Sequence, residues 1–147
     1  MTKVLIVDDS RLVRLTIKTI LARAEGIEVV GEAENGREGV DMARDLNPDV
    51  VTLDIEMPVM NGIECLRRLR ILSPAKVVVL SSLTHPASPK AVEARLVGAD
   101  AVIGKPSGSV SKDVDATGGD LLVDTIRRLV DTADTQGRAP QTQGAAS

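Results

Sequence analysis

The chain has 147 residues, 18 Lys and Arg against 21 Asp and Glu, a formal net charge of −3, one cysteine and no Phe, Tyr or Trp. That length suits one domain with its own core. The near-balanced charge offers no basic block for nucleic acid or an anionic membrane, and the missing aromatics exclude stacking platforms for single strands.

Cys65 alone excludes an internal disulfide framework and a multi-thiolate metal site. There is no signal-peptide pattern at the N-terminus and no apolar run of membrane-spanning length, so the expected location is the cytoplasm. The core has to be assembled from Val, Leu, Ile, Ala and Met.

The first apolar run, Val4–Val7, is followed at once by the adjacent carboxylates Asp8 and Asp9. Leu12, Val13, Thr16, Ile17, Ile20 and Leu21 then recur at helical spacing, with Ser10 or Asp9 as cap and Gly26 as stop. A second run, Ile27–Val30, precedes a helix from about Asn35 to Leu46, which Asn47-Pro48 ends because the residue before proline avoids the α region. Val50–Leu53 is the third run and Asn61 to Leu72 the third helix, halted before Pro74. The fourth run is Val77–Leu80, and Pro89 suits the first turn of a helix that ends at Gly98. Ala101–Ile103 is the fifth run, and a last helix spans about Gly119 to Thr132, with Leu122, Ile126, Leu129 and Val130 on one stripe.

Short, nearly continuous apolar runs are what strands look like when both faces are covered. Five βα units in succession predict an α/β fold: a doubly wound, flavodoxin-like five-stranded parallel sheet of order 2-1-3-4-5. Residues 1–133 form the expected domain. The stretch 134–147, rich in Gly, Gln, Thr, Ala and Pro, reads as a flexible linker or tail.

Ligands of open α/β sheets bind beyond the carboxyl ends of the strands, where the order reverses. There the sequence delivers Asp8 and Asp9 from strand one, Asp54 from strand three, Ser81 and Ser82 from strand four, and Lys105 after strand five. Adjacent carboxylates at the rim of an apolar core repel each other unless a cation or proton compensates. Three carboxylates with an ammonium and a hydroxyl suit a hard divalent cation next to an anionic group, and Mg²⁺ commonly takes one or two carboxylates plus phosphate oxygens. A carboxylate so placed can become an aspartyl-phosphate when metal and lysine neutralise the transferring group. No P-loop motif is present to bring a nucleotide donor.

LIVDDS, VVTLDIEMPVMNG, VVVLSS and Lys105-Pro106, in that order, resemble the receiver domain of bacterial two-component response regulators over residues 3 to 132. The resemblance implies that Asp54 accepts a phosphoryl group from a phosphohistidine on a sensor kinase. It implies that Asp9 binds Mg²⁺ directly with Asp8 assisting, that Glu56 adds its backbone carbonyl, and that Ser81 and Lys105 contact the phosphoryl oxygens. TLDIEMPVMNGIECLRRL, SSLT and KPSGSVSKDVD are similar, more narrowly, to the receiver of the chemotaxis protein-glutamate methylesterase. That implies a regulatory half, not itself an enzyme, preceding an esterase domain that this chain lacks. The alternative is a stand-alone receiver that switches binding partners in chemotaxis.

Two positions depart from the pattern. Val102 stands where many receivers carry Tyr or Phe, and Cys65 stands where the methylesterase group often has Phe. An aspartate-nucleophile phosphatase would share the carboxylate and Mg²⁺ chemistry, but it needs a DxD spacing that Asp8-Asp9 lacks. His85 reads as an exposed loop residue, Cys65 as a small core residue, Met57 and Met60 as packing, and Arg67, Arg68, Lys90 and Arg95 as solvated helix faces.

Overall fold

The computed structural model describes residues 1–57, 60–81, 88–106 and 121–131. The expectations for Ser82, for His85, for the ends of the last helix and for 134–147 lie outside these residues. In chain order the elements are β1 (Thr2–Val7), α1 (Arg11–Ala22), β2 (Ile27–Ala33), α2 (Gly36–Leu46), β3 (Val50–Asp54), α3 (Gly62–Leu72), β4 (Lys76–Ser81), α4 (Pro89–Val97) and β5 (Ala101–Gly104). A fifth helix, α5, covers 121–131.

All strand pairings are parallel, and the sheet order is β2-β1-β3-β4-β5, as expected. Side chains alternate along each strand, so the central strands feed two cores. Leu5, Val7, Val51, Leu53, Val77 and Val79 pack under α2, α3 and α4 with Val40, Leu66, Leu69 and Ala94. Val4, Ile6, Val50, Val78 and Leu80 pack against Ile17 and Leu21 of α1 and Leu122 and Ile126 of α5. Burial on both faces is why these strands read as unbroken apolar runs.

β2 runs three residues beyond its apolar run. It is an edge strand, so only part of it needs apolar character, and its pairing with β1 shifts register between Val4 and Leu5. β3 and β4 likewise continue through Asp54 and Ser81, because ladder pairing extends past the last apolar side chain.

The helix starts are set by side-chain caps. The Ser10 hydroxyl, not Asp9, accepts from the Val13 N–H, while Asn35, Asn61 and Ser88 cap α2, α3 and α4 in the same way. Asn47 closes α2 in the left-handed region at φ 49°, directly before Pro48.

One glycine fixes the chain after β3. A Cβ on Gly62 would lie 2.3 Å from the Ile55 Cα and 2.6 Å from the Asp54 carbonyl oxygen, both backbone atoms that cannot swing away. The Gly62 N–H donates to the Ile55 carbonyl at 3.1 Å, so α3 begins pressed against the end of β3. Gly62→Ala is expected to destabilise the domain by about 2 kcal/mol or more, the usual scale of overpacking, read as a lower urea midpoint followed by circular dichroism.

Candidate functional site

The order β2-β1-β3-β4-β5 reverses direction between β1 and β3, and the polar groups gather at the carboxyl ends around that point. Asp8 follows the last residue of β1, Asp54 ends β3, Ser81 ends β4 and Lys105 follows β5. Asp54 is fully buried, Asp8 and Ser81 are buried, and Asp9 is exposed. Carboxylate oxygens of Asp8, Asp9 and Asp54 lie within 4.8 Å of one another.

Asp8 is held at three of its polar atoms. Its N–H donates to the Ala33 carbonyl at 3.0 Å, its carbonyl accepts from Arg14 Nη1 at 2.8 Å, and its Oδ1 accepts from the Ser10 N–H at 2.8 Å. Asp54 Oδ1 accepts from the Glu56 N–H at 2.9 Å. The two Oδ2 atoms that remain point into the cluster. Lys105 Nζ stands 3.1 Å from Asp54 Oδ2 and 3.5 Å from Asp8 Oδ2, at ion-pair distance. Neither contact has hydrogen-bond geometry, so both buried oxygens lack a hydrogen-bond donor.

Burial is the main reason both carboxyls titrate high. Asp54 is pushed up to about 7: burial and the charge of Asp8 raise it, while the Glu56 N–H and Lys105 pull it down. Asp8 is also raised, again chiefly by burial, against the opposing pull of the Ser10 N–H and Lys105. Burial disfavours the Lys105 ammonium, but the two carboxylates outweigh it and its pKa moves up. One ammonium thus faces two carboxylates, and the pair is under-compensated. Orphaned carboxylate oxygens in an all-oxygen set fit a hard divalent cation, with Asp8, Asp9 and Asp54 as the residues that could hold it.

Of the residues expected from sequence at this edge, Asp8, Asp9, Asp54 and Lys105 come together, and the Lys105 N–H donates to the Ser81 carbonyl at 3.0 Å. Glu56 is close through its backbone N–H to Asp54. Val102 is half-buried on β5 and packs against the α3-side core. Cys65 is buried, its thiol pushed up to about 12 by burial, with Sγ 3.6 Å from the Gly36 carbonyl, so it is an inert core residue. Met57 is buried and Met60 packs on the same core, while Arg67, Arg68, Lys90 and Arg95 are exposed, as read. Arg14 and Glu32 were not expected here: Arg14 of α1 reaches the Asp8 carbonyl, and Glu32 of β2 reaches the site only through Arg14. The one signal was a basic residue beside the apolar stripe of the first helix.

This fold, with acids on two adjacent strand ends and a lysine after the last, defines a class. Residues 4–112 match the family model of the response regulator receiver domain, and the chain belongs to that family. Within it the chain is similar to protein-glutamate methylesterases. It is 43% identical over 124 residues to the protein-glutamate methylesterase/protein-glutamine glutaminase of Halalkalibacterium halodurans, covering 84% of this chain and 36% of that protein. With the Archaeoglobus fulgidus protein of the same description it shares 48% identity over 108 residues, covering 74% of this chain and 31% of that protein. The chain therefore spans about a third of the length of these relatives.

The solved response regulator domain of Thermotoga maritima CheB superposes with a TM-score of 0.81 at 39% identity, covering 89% of this chain and 97% of that one. A chain in the complex of the CheA3 P1 domain with CheY6 from R. sphaeroides matches with a TM-score of 0.72 at 43% identity, covering 88% and 96%.

The raised Asp54 sets the sign of the pH dependence in cation-free protein. The folded state keeps a proton on Asp54 up to about pH 7, whereas an unperturbed aspartate loses its proton near 3.8. Between those values the folded state binds more protons than the unfolded one, so stability falls as pH rises. In EDTA the urea midpoint is expected to drop between pH 4 and pH 7 and level off above. Asp54→Asn should flatten that slope and, at pH 8, raise the midpoint through an unfolding free energy larger by an amount on the order of 1–3 kcal/mol, both read from urea unfolding followed by circular dichroism. An unchanged or lower midpoint for the variant would count against the carboxylate crowding.

Proposed function

We propose that this chain is a phosphoacceptor regulatory domain in which Asp54 takes a phosphoryl group from a histidine kinase in a Mg²⁺-dependent reaction. The observation that carries the reading is a fully buried carboxylate whose Oδ2 faces Lys105 at 3.1 Å and lacks a hydrogen-bond donor. Such an oxygen is aimed and desolvated, and its pKa near 7 makes it a moderately basic nucleophile that ionises as a cation displaces the proton.

In the transfer, an Asp54 carboxylate oxygen attacks phosphorus in line with the phosphohistidine P–N bond. The O–P bond forms as the P–N bond breaks, and the imidazole nitrogen keeps the electron pair and then binds a proton from solvent. The product is an acyl phosphate on Asp54. Lys105 faces the growing charge on the phosphoryl oxygens, and the Ser81 hydroxyl is assigned to the same oxygens once transferred. The Glu56 N–H holds Asp54 through Oδ1 and so fixes which oxygen faces the cluster. Mg²⁺, held by Asp8, Asp9, Asp54 and the Glu56 carbonyl, would neutralise charge shared between carboxylates and phosphoryl group.

Residues 1–133 are the regulatory unit in this reading, and 134–147 lead toward a methylesterase domain. The support is the similarity to methylesterases about three times as long as the region they share with this chain. The chain regulates and the attached domain hydrolyses. Intact mass spectrometry after incubation with acetyl phosphate tests the chemistry directly. One phosphoryl group is expected to add only with Mg²⁺, Asp54→Asn should add none, and Lys105→Met should slow addition by about tenfold or more. Equal labelling of Asp54→Asn would overturn the assignment.

The kinase would approach along α1, which starts beside the acidic turn. Leu12 and Leu15 are exposed there by 58% and 56%, and RLVRLTIKTILA carries Arg11, Arg14 and Lys18 without an acidic residue. An apolar patch beside Arg11, on a helix without acidic residues, suits a helix of apolar and acidic side chains. Leu12→Glu/Leu15→Glu is expected to cut phosphotransfer from a phosphorylated chemotaxis-kinase P1 domain by about tenfold or more. Labelling by acetyl phosphate should stay within about twofold, because that donor needs no docking surface.

A further inference from the structure

Asp9 is exposed, yet it has to be aimed at the same point as the buried Asp8 and Asp54 if the three carboxylates are to share one ion. What aims it is the peptide unit between Asp8 and Asp9, since the Asp8 carbonyl and the Asp9 nitrogen lie in one rigid plane. The carbonyl of that plane accepts from Arg14 Nη1 at 2.8 Å. Arg14 is fixed in turn: its Nε reaches Glu32 Oε1 at 3.2 Å, and the second Glu32 oxygen takes Lys18 Nζ at 2.7 Å. Arg14 is 13% exposed, so this is a partly buried, charge-assisted contact rather than a loose surface pair.

The tether closes on β2. The Asp8 N–H is already bonded to the Ala33 carbonyl, and Glu32 is the preceding residue of the same strand. Both main-chain groups of Asp8 are therefore fastened to the carboxyl end of β2, an edge strand that puts no side chain into the cluster itself. A guanidinium is suited to this, because its fork can hold a carboxylate with one nitrogen and a carbonyl with another.

We propose that Arg14, braced by Glu32, is a positioning residue of the acidic pair: by pinning the Asp8–Asp9 peptide to β2 it sets the affinity of the cluster for a divalent cation. The inference rests on the reading of the cluster as a Mg²⁺ site. It also makes a prediction opposite in sign to simple electrostatics. Removing a cation near three carboxylates should by Coulomb's law strengthen binding of another cation. Loss of the tether should weaken it, as loss of groups that orient metal ligands typically does by 10- to 100-fold.

The test is isothermal titration calorimetry with Mg²⁺ alone on the wild-type chain, Arg14→Met and Arg14→Lys, with folding checked by circular dichroism. Arg14→Met is expected to bind Mg²⁺ about 10- to 100-fold more weakly. Arg14→Lys, which keeps the charge but loses the fork, should fall between it and wild type, and it carries the test if Arg14→Met does not fold. Because the defect is one of affinity, saturating Mg²⁺ should bring acetyl phosphate labelling of either variant back to within about twofold of wild type. Affinity in Arg14→Lys equal to or tighter than wild type, or labelling that stays slow at saturation, would overturn the positioning role while the phosphoacceptor reading stands. A wild-type chain that binds no Mg²⁺ would overturn both.

Discussion

Two carboxylates buried side by side with a single ammonium between them form an arrangement that the apolar interior disfavours in every protonation state. Ionising both leaves one charge uncompensated, and protonating one leaves oxygens without a donor. The protein holds this arrangement because Asp8 and Asp54 are attached to adjacent central strands whose positions are fixed by two apolar cores, and Lys105 to a strand two places away. The remaining polar features of that edge follow from it. Backbone N–H groups of Ser10 and Glu56 occupy one oxygen of each carboxylate, and Lys105 occupies the space between the others.

The scaffold separates what must be rigid from what must be reached. The strand ends that carry the acids are buried to their last residue, and Gly62 lets α3 close directly over the end of β3. Asp9, Arg11 and Leu12 stay open to solvent, so the cluster has one exposed side while Asp54 stays under cover. A buried carboxylate with a pKa near 7 is poised between protonated and ionised forms, and binding of a cation next to it shifts that balance.

β2 illustrates how an edge element contributes without entering the site. It is only partly buried, yet its Ala33 carbonyl and Glu32 carboxylate anchor the acidic turn through the Asp8 N–H and Arg14. A list of side chains within reach of a bound ion would omit both Arg14 and Glu32.

The fold was legible in the sequence because parallel strands buried on both faces must be continuously apolar, and because Asn35, Asn47, Asn61, Pro89 and Gly98 mark helix ends by their own conformational chemistry. Asp8, Asp9, Asp54, Ser81 and Lys105 were legible as a site for a related reason: each follows or ends an apolar run, and the strand-order rule sends all those ends to one edge. The length of β2 was not legible, since Gly31 and Glu32 interrupt its apolar run while ladder pairing carries the strand on to the buried Ala33. Nor was the choice of Ser10 over Asp9 as the cap, which depends on Asp8 turning its own Oδ1 to the Ser10 N–H. Tertiary structure alone decided that Asp54 is fully buried and raised toward 7, that Lys105 reaches both carboxylates, and that Arg14 holds the turn through a backbone carbonyl. Periodicity reports which face of an element is apolar, whereas desolvation and side chain to backbone contacts depend on distances between residues far apart in the chain.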